Sequence, residues 1–353
     1  MSILFDPIQL GAIALRNRIV MAPMTRSRAG EGDAPTALNV EYYRQRAGAG
    51  LIVTEGAQPS KHGKGYCRTP GIYSPEQIAG WKQVTAAVHA EGGSIVLQVM
   101  HCGRIGSRHN KDEDAETVAP SAIRANGQIY TDAVGMADFD LPRALETAEI
   151  PGVIEEYRQA ALNARAAGFD GVELHVTSGY LPAQFLSTGT NQRSDGYGGS
   201  LNNRLRFVIE TLEAMTGAIG ADRVGFRICP GNPFNDLHDD NPNETFTALL
   251  RAASPMGLAY LHAIRSPLKT LDVFAMAQEC FRGPLIINDS FTATTGAASL
   301  TEGIGDVVSF GRPFIANPDL VERFRRDLPL ANFDLKSLYT PGPAGYTDYP
   351  VAG

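Results

Sequence analysis

Cysteine is scarce: Cys67, Cys102, Cys229 and Cys280 are four in 353 residues, and no two form a Cys-x-x-Cys pair. That spacing excludes a disulfide framework and a structural zinc site, and a reducing cytoplasm is the expected setting. Basic clusters are missing as well. Lys+Arg number 31 against 38 Asp+Glu, for a net charge of −7, and no Lys/Arg run interleaved with aromatics offers nucleic acid a footprint. Stretches such as GLIVTEGA and SIVLQVM fall well short of the roughly 20 apolar residues of a membrane span. The amino terminus, MSILFDPIQL, lacks the basic-then-apolar order of a signal peptide. A doubly wound two-domain chain needs a Gly-rich turn after its first strand and a mid-chain linker, and neither is found. What is there is a globular composition, 43% hydrophobic and 20% charged, read as one domain over residues 1–353.

The chain alternates short β-branched apolar runs with helix-like segments. The strand candidates are Asn17 to Met24, Gly50 to Ala57, Ser94 to His101, Gly171 to Val176, Arg223 to Pro230, Leu258 to Ile264, Pro284 to Ser290 and Asp306 to Arg312. Helices are expected at Ser74 to Glu91, with Ser74 as N-cap and Pro75 in the first turn, at Ile150 to Ala167, and at Asn317 to Leu328. Eight such units close into a (β/α)₈ barrel. ILFDPIQLGAIAL, before Asn17, is expected as a hairpin closing the barrel floor, and the Pro/Gly/Tyr-rich tail from Tyr339 as a non-helical segment folding back over the mouth. The stretch from Cys102 to Glu149 is too long for an ordinary connection and is read as a capping excursion after strand three.

Active sites of such barrels lie at the C-terminal strand ends, so polar residues there stand out. Gln98 interrupts SIVLQVMH, strand four ends in Glu173, Leu174 and His175, and Arg227 interrupts VGFRICP. A buried amide or guanidinium needs a partner. Gln98 and Arg227 are either a satisfied polar pair in the barrel interior or contacts to a ligand. The loops after the last two strands, Asn288 to Thr292 and Phe310 to Phe314, carry Gly311, which permits close backbone approach, and Arg312, which can clamp a phosphate. An extended phosphorylated cofactor suits this set, and flavin mononucleotide (FMN) is the natural candidate.

Several long motifs in order make the sequence resemble the old yellow enzymes, flavin-dependent ene-reductases. They are NRIVMAPMTRSRA, LIVTEG, SPEQIAGWK, Gln98-x-x-His101-x-Gly103-Arg104, GYLPAQFL, NQRSDGYGGSLNNR, FGRPFIANPDL and GYTDYP. The resemblance implies noncovalent FMN, reduced by NADPH or NADH, which then passes hydride from N5 to the β-carbon of an unsaturated carbonyl or nitro compound. It implies Pro23, Met24 and Thr25 beneath the flavin and Ala57, Gln98, Arg227, Ser290, Gly311 and Arg312 as further cofactor contacts. Tyr180 matches the proton donor, protonated at neutral pH at an ordinary pKa of about 10. His175 and Ser178 take the places of the two carbonyl-clamping residues, and Tyr66, Met100 and Tyr346 are expected in the substrate pocket. The expected partner is a small molecule, with the chain a monomer or homodimer.

The clamp departs from the family pattern. Where the family has His-x-x-Asn or His-x-x-His, this chain reads His175-Val176-Thr177-Ser178. Serine has a shorter reach than an amide or imidazole, so His175 is expected to polarise the carbonyl with Ser178 assisting, and weakly activated enones are expected to turn over slowly. Nitro compounds, nitrate esters and quinones are the alternative substrates. Met100 stands where relatives often carry Trp, and Asp289 is expected to point away from the phosphate or to cap the helix near Thr292. His101 either orients a loop or lines the mouth, Cys102 packs, and Asn110 to Glu116 is a solvated loop. A reading from another class is a metal-dependent hydrolase barrel using His101, Glu173, His175 and Asp236 as ligands.

Overall fold

The computed structural model describes residues 2–352. Eight parallel strands close the barrel in chain order: Ile19–Met21, Leu51–Val53, Ile95–Val99, Gly171–Val176, Val224–Ile228, Tyr260–Ile264, Leu285–Asn288 and Val307–Phe310. Each lies inside the run expected for it. They will be called barrel strands one to eight. The eighth pairs with the first through Val308 to Ile19 and Phe310 to Met21, which closes the cylinder.

Side chains alternate between the two faces of a strand, and here both faces are buried for different reasons. Ile95, Leu97, Val172, Leu174, Phe226, Leu261, Ile287 and Val308 share the larger core with the surrounding helices. Val20, Leu51, Val53, Val96, Tyr260, Ile286 and Val307 form a second cluster inside the barrel, together with Leu10, Ile13 and Leu15. Those last three come from the antiparallel hairpin Ile8–Leu10 and Ile13–Leu15, which plugs the floor as expected. Two residues further along the same inward faces stand Gln98 after Val96, His262 after Tyr260, Asn288 after Ile286 and Ser309 after Val307. The strand period therefore lays a polar layer above the apolar one, on the side of the C-terminal strand ends.

The helix Pro75–Ala90 starts where expected. Ser74 accepts from the Gln77 backbone N–H while the Gln77 side chain accepts from that of Ser74, which satisfies two otherwise orphaned donors. The third expected helix is shorter than its sequence pattern, running over Leu320–Arg326. Asn317 is buried and bonds across to Pro313 and Ala331 instead of opening the helix. The excursion after strand three holds the hairpin Gln128–Thr131 and Gly135–Asp138 and a short parallel pair, Val118–Ala119 with Arg143–Ala144. The expected solvated loop there is solvated only in part. Asn110 is buried and donates to the Gly65 and Tyr130 carbonyls, and Lys111 donates to those of His62 and Glu116. Among the described residues no helix is long and apolar enough to cross a membrane.

The floor hairpin turns through Gly11 at φ 55, where an added Cβ would stand 2.2 Å from the Asp222 carbonyl oxygen. Left-handed backbone costs a non-glycine residue about 1–3 kcal/mol before that clash is counted. Gly11→Ala is expected to destabilise the fold by at least that amount, read as a lowered urea midpoint with an unchanged slope.

Candidate active site

The polar layer is one connected network. Gln98 on strand three donates through Nε2 to Glu173 Oε1 on strand four at 2.8 Å, and Glu173 Oε2 meets His262 Nδ1 on strand six at 2.9 Å. His262 Nε2 meets Ser309 Oγ on strand eight at 2.8 Å. Arg227 on strand five donates through Nη2 to Asn288 Oδ1 at 2.8 Å, and Asn288 donates to the Ser309 carbonyl at 3.0 Å. Burial pulls Glu173 toward its neutral form, but His262, Arg227 and Gln98 outweigh it and hold the carboxyl below its usual range, ionised. Burial holds His262 below the ordinary imidazole range, so it is neutral and donates from Nδ1 to the carboxylate.

Above this layer lie His175 and Tyr180, whose ring centres are 5.0 Å apart. Burial, reinforced by Arg227 and His262, pushes His175 well below its ordinary pKa, leaving a neutral imidazole. Burial likewise drives the Tyr180 phenol well above 10, with Tyr66 and Cys102 adding to it. The Tyr66 hydroxyl stands 3.1 Å from that of Tyr180, and burial pushes Tyr66 up to about 12. Asn235 reaches the Tyr66 hydroxyl at 3.5 Å and donates to the Ser178 carbonyl at 2.8 Å. Ser178 and Gly179 both have left-handed backbone, at φ 59 and 74.

Tyr180, Tyr66 and Thr25 line a cavity of about 1020 Å³. Its other walls are the excursion, through Asn126 and Tyr130, the loop after strand five, through Phe234 and Asn235, and the tail, through Tyr339 and Pro341. The excursion and tail therefore cover the mouth as expected. Arg68 ties the excursion and the tail to the segment after strand one, pairing with Asp132 and donating to the Tyr339 and Ser27 carbonyls.

The sequence-derived residues sort as follows. Gln98, Arg227, His175, Tyr180, Ser178, Tyr66 and Thr25 converge at this end of the barrel. Pro23 and Met24 lead into Thr25, and Ala57 joins strand three through backbone bonds to Gln98 and Met100. Ser290 lies on an exposed turn at φ 61, beside Asp289 at φ 92. Thr292 and Thr295 cap the following helix between themselves, so Asp289 has no capping role. Tyr346 is not in the pocket. It is fully buried, stacked on Tyr42 at 4.1 Å, and its hydroxyl accepts from Asn39. The face of Tyr42 and the buried amide of Asn39 draw it inward, away from the pocket expected for it. Met100 packs behind Tyr180 with Cys102, Ile105 and Phe139 rather than lining the cavity. His101 is a loop-orienting residue, accepting from the Gly103 backbone N–H at 3.0 Å.

The metal-site reading does not hold together. Glu173 is bonded inside the barrel, His101 inside a loop, and Asp236 pairs with Arg104. Among the described residues no group of three or more His, Cys, Asp or Glu could hold a metal ion. The site does suit a flavin. Buried Arg227 Nε and His175 Nδ1 have no partner among the described residues, which is what polar groups held for a ligand look like. The Gln98 amide, with one N–H directed to Glu173, still has its oxygen to offer. Sequence reading missed His262 and Asn235. His262 interrupts the apolar run YLHAI just as Gln98 interrupts its own strand, so the same signal could have found it. Asn235 lies in a loop and carries no comparable mark.

The sequence matches the NADH:flavin oxidoreductase / NADH oxidase family over residues 3–331. A probable flavin mononucleotide-dependent alkene reductase of Leishmania infantum is 40% identical over 356 residues, 99% of this chain and 97% of that protein. The 12-oxophytodienoate reductase 7 of Oryza sativa subsp. japonica is 39% identical over 99% of this chain and 95% of its own length. The solved structure of morphinone reductase in complex with tetrahydroNAD superposes with a TM-score of 0.95 at 44% identity, covering 99% of this chain and 98% of that one. The old yellow enzyme homologue from Zymomonas mobilis gives a TM-score of 0.95 at 38% identity, covering 99% of both chains. With agreement of this extent in sequence and in fold, the chain belongs to the NADH:flavin oxidoreductase / NADH oxidase family, that of the old yellow enzymes.

Proposed function

We propose that this protein uses FMN and NADPH or NADH to reduce activated carbon–carbon double bonds of small α,β-unsaturated carbonyl or nitro compounds. One juxtaposition carries the reading: a neutral imidazole, His175, and a protonated phenol, Tyr180, have ring centres 5.0 Å apart, and the phenol lines the cavity. The names of the alkene, 12-oxophytodienoate and morphinone reductases among the relatives support it.

Gln98 and Arg227 would hold the polar edge of the flavin, Pro23, Met24, Thr25 and Ala57 would lie against its ring, and Ser290, Gly311 and Arg312 would receive the phosphate. When bound, FMN relays two electrons from the nicotinamide to the alkene. His175 donates a hydrogen bond to the substrate oxygen, where negative charge grows as the double bond is reduced. Being neutral, it polarises this oxygen through one N–H and transfers no proton, which leaves proton delivery to Tyr180. Tyr180 delivers its proton to the α-carbon. Tyr66, fixed by Asn235, orients the phenol and then shares the charge left on it.

The purified protein is expected to be yellow, to bleach under anaerobic NADPH or NADH, and to regain colour on adding N-ethylmaleimide. Tyr180→Phe should leave bleaching at the wild-type rate and slow cyclohexenone-dependent recolouring by roughly 10²–10⁴-fold in stopped flow. Equal loss in both halves would remove Tyr180 from the proton-donor role. Across about pH 6 to 9 the recolouring rate should show no titration. Both phenols are pushed upward, Tyr66 to about 12, and so stay protonated, while His175 is pushed downward and stays neutral. Ser178→Asn should raise enone turnover or affinity, because the left-handed backbone at φ 59 accepts asparagine readily and the amide reaches further than a hydroxyl. No gain in either parameter would show that Ser178 is not the short arm of the clamp.

A further inference from the structure

Glu173 is a carboxylate at 0% exposure in the middle of a barrel, and the proton-donor and clamp chemistry does not use it. Burying such an ion is expensive, and one layer below the same barrel is filled by Val20, Val53, Val96 and Ile286 without any charge. Closing the cylinder therefore does not require a polar residue at this level. Glu173 is nonetheless supported on both oxygens, by Gln98 at 2.8 Å and His262 at 2.9 Å, and the support extends to Ser309 on the far wall.

The donor directions follow from the chemistry of the groups. An ionised carboxylate only accepts, so Gln98 and His262 both donate to it. A neutral imidazole with its proton on Nδ1 must accept at Nε2, so the Ser309 hydroxyl donates. The Glu173 carboxylate therefore fixes the His262 tautomer, Ser309 completes it by donating to Nε2, and Glu173 fixes which end of the Gln98 amide is left for the cofactor. Glu173 also counters the charge of Arg227, whose Nε has no partner among the described residues.

We propose that Glu173, held by His262 and Ser309, is a positioning residue that orients Gln98 and offsets the Arg227 charge, and thereby sets how readily the bound flavin takes up electrons. The proposal rests on the FMN site described above. Reduction brings negative charge to the cofactor, which Arg227 favours and Glu173 opposes. With Glu173 ionised the potential is held down, so the reduced cofactor is a stronger donor to the alkene.

The test is the midpoint potential of FMN-loaded protein, measured by dye equilibration, for wild type, Glu173→Gln and Ser309→Ala. Glu173→Gln keeps the shape and removes the charge. It should shift the oxidised-to-reduced equilibrium about tenfold toward reduced flavin, a rise of about 30 mV for a two-electron couple. Ser309→Ala takes the donor from His262 Nε2, which loosens the support of ionised Glu173, and should move the equilibrium about twofold in the same direction. A residue that only supports the fold would change stability and leave the potential in place, because it holds both redox forms of the cofactor equally. An unchanged or lowered potential in Glu173→Gln overturns the proposal. If that variant does not fold, an unchanged potential in Ser309→Ala does so. A wild-type protein that takes up no FMN would instead overturn the cofactor reading beneath it.

Discussion

Polar groups inside a closed barrel have no water to turn to, so each must find a partner on another strand. That constraint organises the upper interior of this protein. Gln98, Glu173, His262 and Ser309 come from strands three, four, six and eight and form one chain of hydrogen bonds across the lumen. Arg227 and Asn288, from strands five and seven, complete the layer. Because parallel register fixes which residues lie at one level, with Gln98 opposite Glu173 and Arg227 opposite both His175 and His262, a slip of one residue in any strand would send a polar group into the helix-facing core. Catalytic layout and strand register are thus specified by the same contacts.

The mouth is built on another principle, with arginines gripping backbone carbonyls. Arg26 and Arg28 bond to the carbonyls of Ser337, Leu338, Ala344 and Gly345, and Arg46, fully buried, holds those of Phe314, Ile315 and Tyr346. Burial, with Arg26 alongside, brings Arg28 down to about 10, which still leaves it charged at neutral pH. A Pro/Gly/Tyr-rich tail offers few side chains to pack and many unpaired carbonyls, and a planar fork of donors is suited to collecting them. The segment carrying Thr25 is fixed in the same region, since the Arg26 backbone N–H donates to buried Glu55 at 3.1 Å. Tail, Thr25 segment and cavity wall are therefore tied to one another.

Much of this was legible in the sequence because it depends on period and composition. The eight apolar runs and the capping box at Ser74 are local signals, and the barrel follows from counting them. Polar interruptions in apolar runs pointed to Gln98 and Arg227, since an unpartnered amide or guanidinium cannot be left in a core. What stayed hidden depends on contacts between distant segments. Tyr346 lies in the core because Tyr42 and Asn39 are waiting there, roughly 300 residues earlier. Asn235 matters because the loop after strand five folds against the loop after strand four. Met100 packs in one cluster with Tyr180 and does not line that cavity, a placement that residue type alone does not determine.

The clamp position shows how function can change on this framework without disturbing it. Ser178 has left-handed backbone, followed by Gly179, and its carbonyl is held by the Asn235 side chain at 2.8 Å. The loop is thus shaped by its main chain and by a neighbour, not by the serine hydroxyl. Side chains that tolerate a φ near 59 can be exchanged here with little effect on the fold, while the distance from donor to substrate oxygen changes with each exchange. His175 differs in this respect. It lies within a strand, opposite Arg227, with its proton count fixed by burial first and by the charge of Arg227 next. The framework therefore holds the imidazole constant and leaves residue 178 adjustable, so that under the proposed function position 178 is a place where substrate preference can shift while the barrel stays as it is.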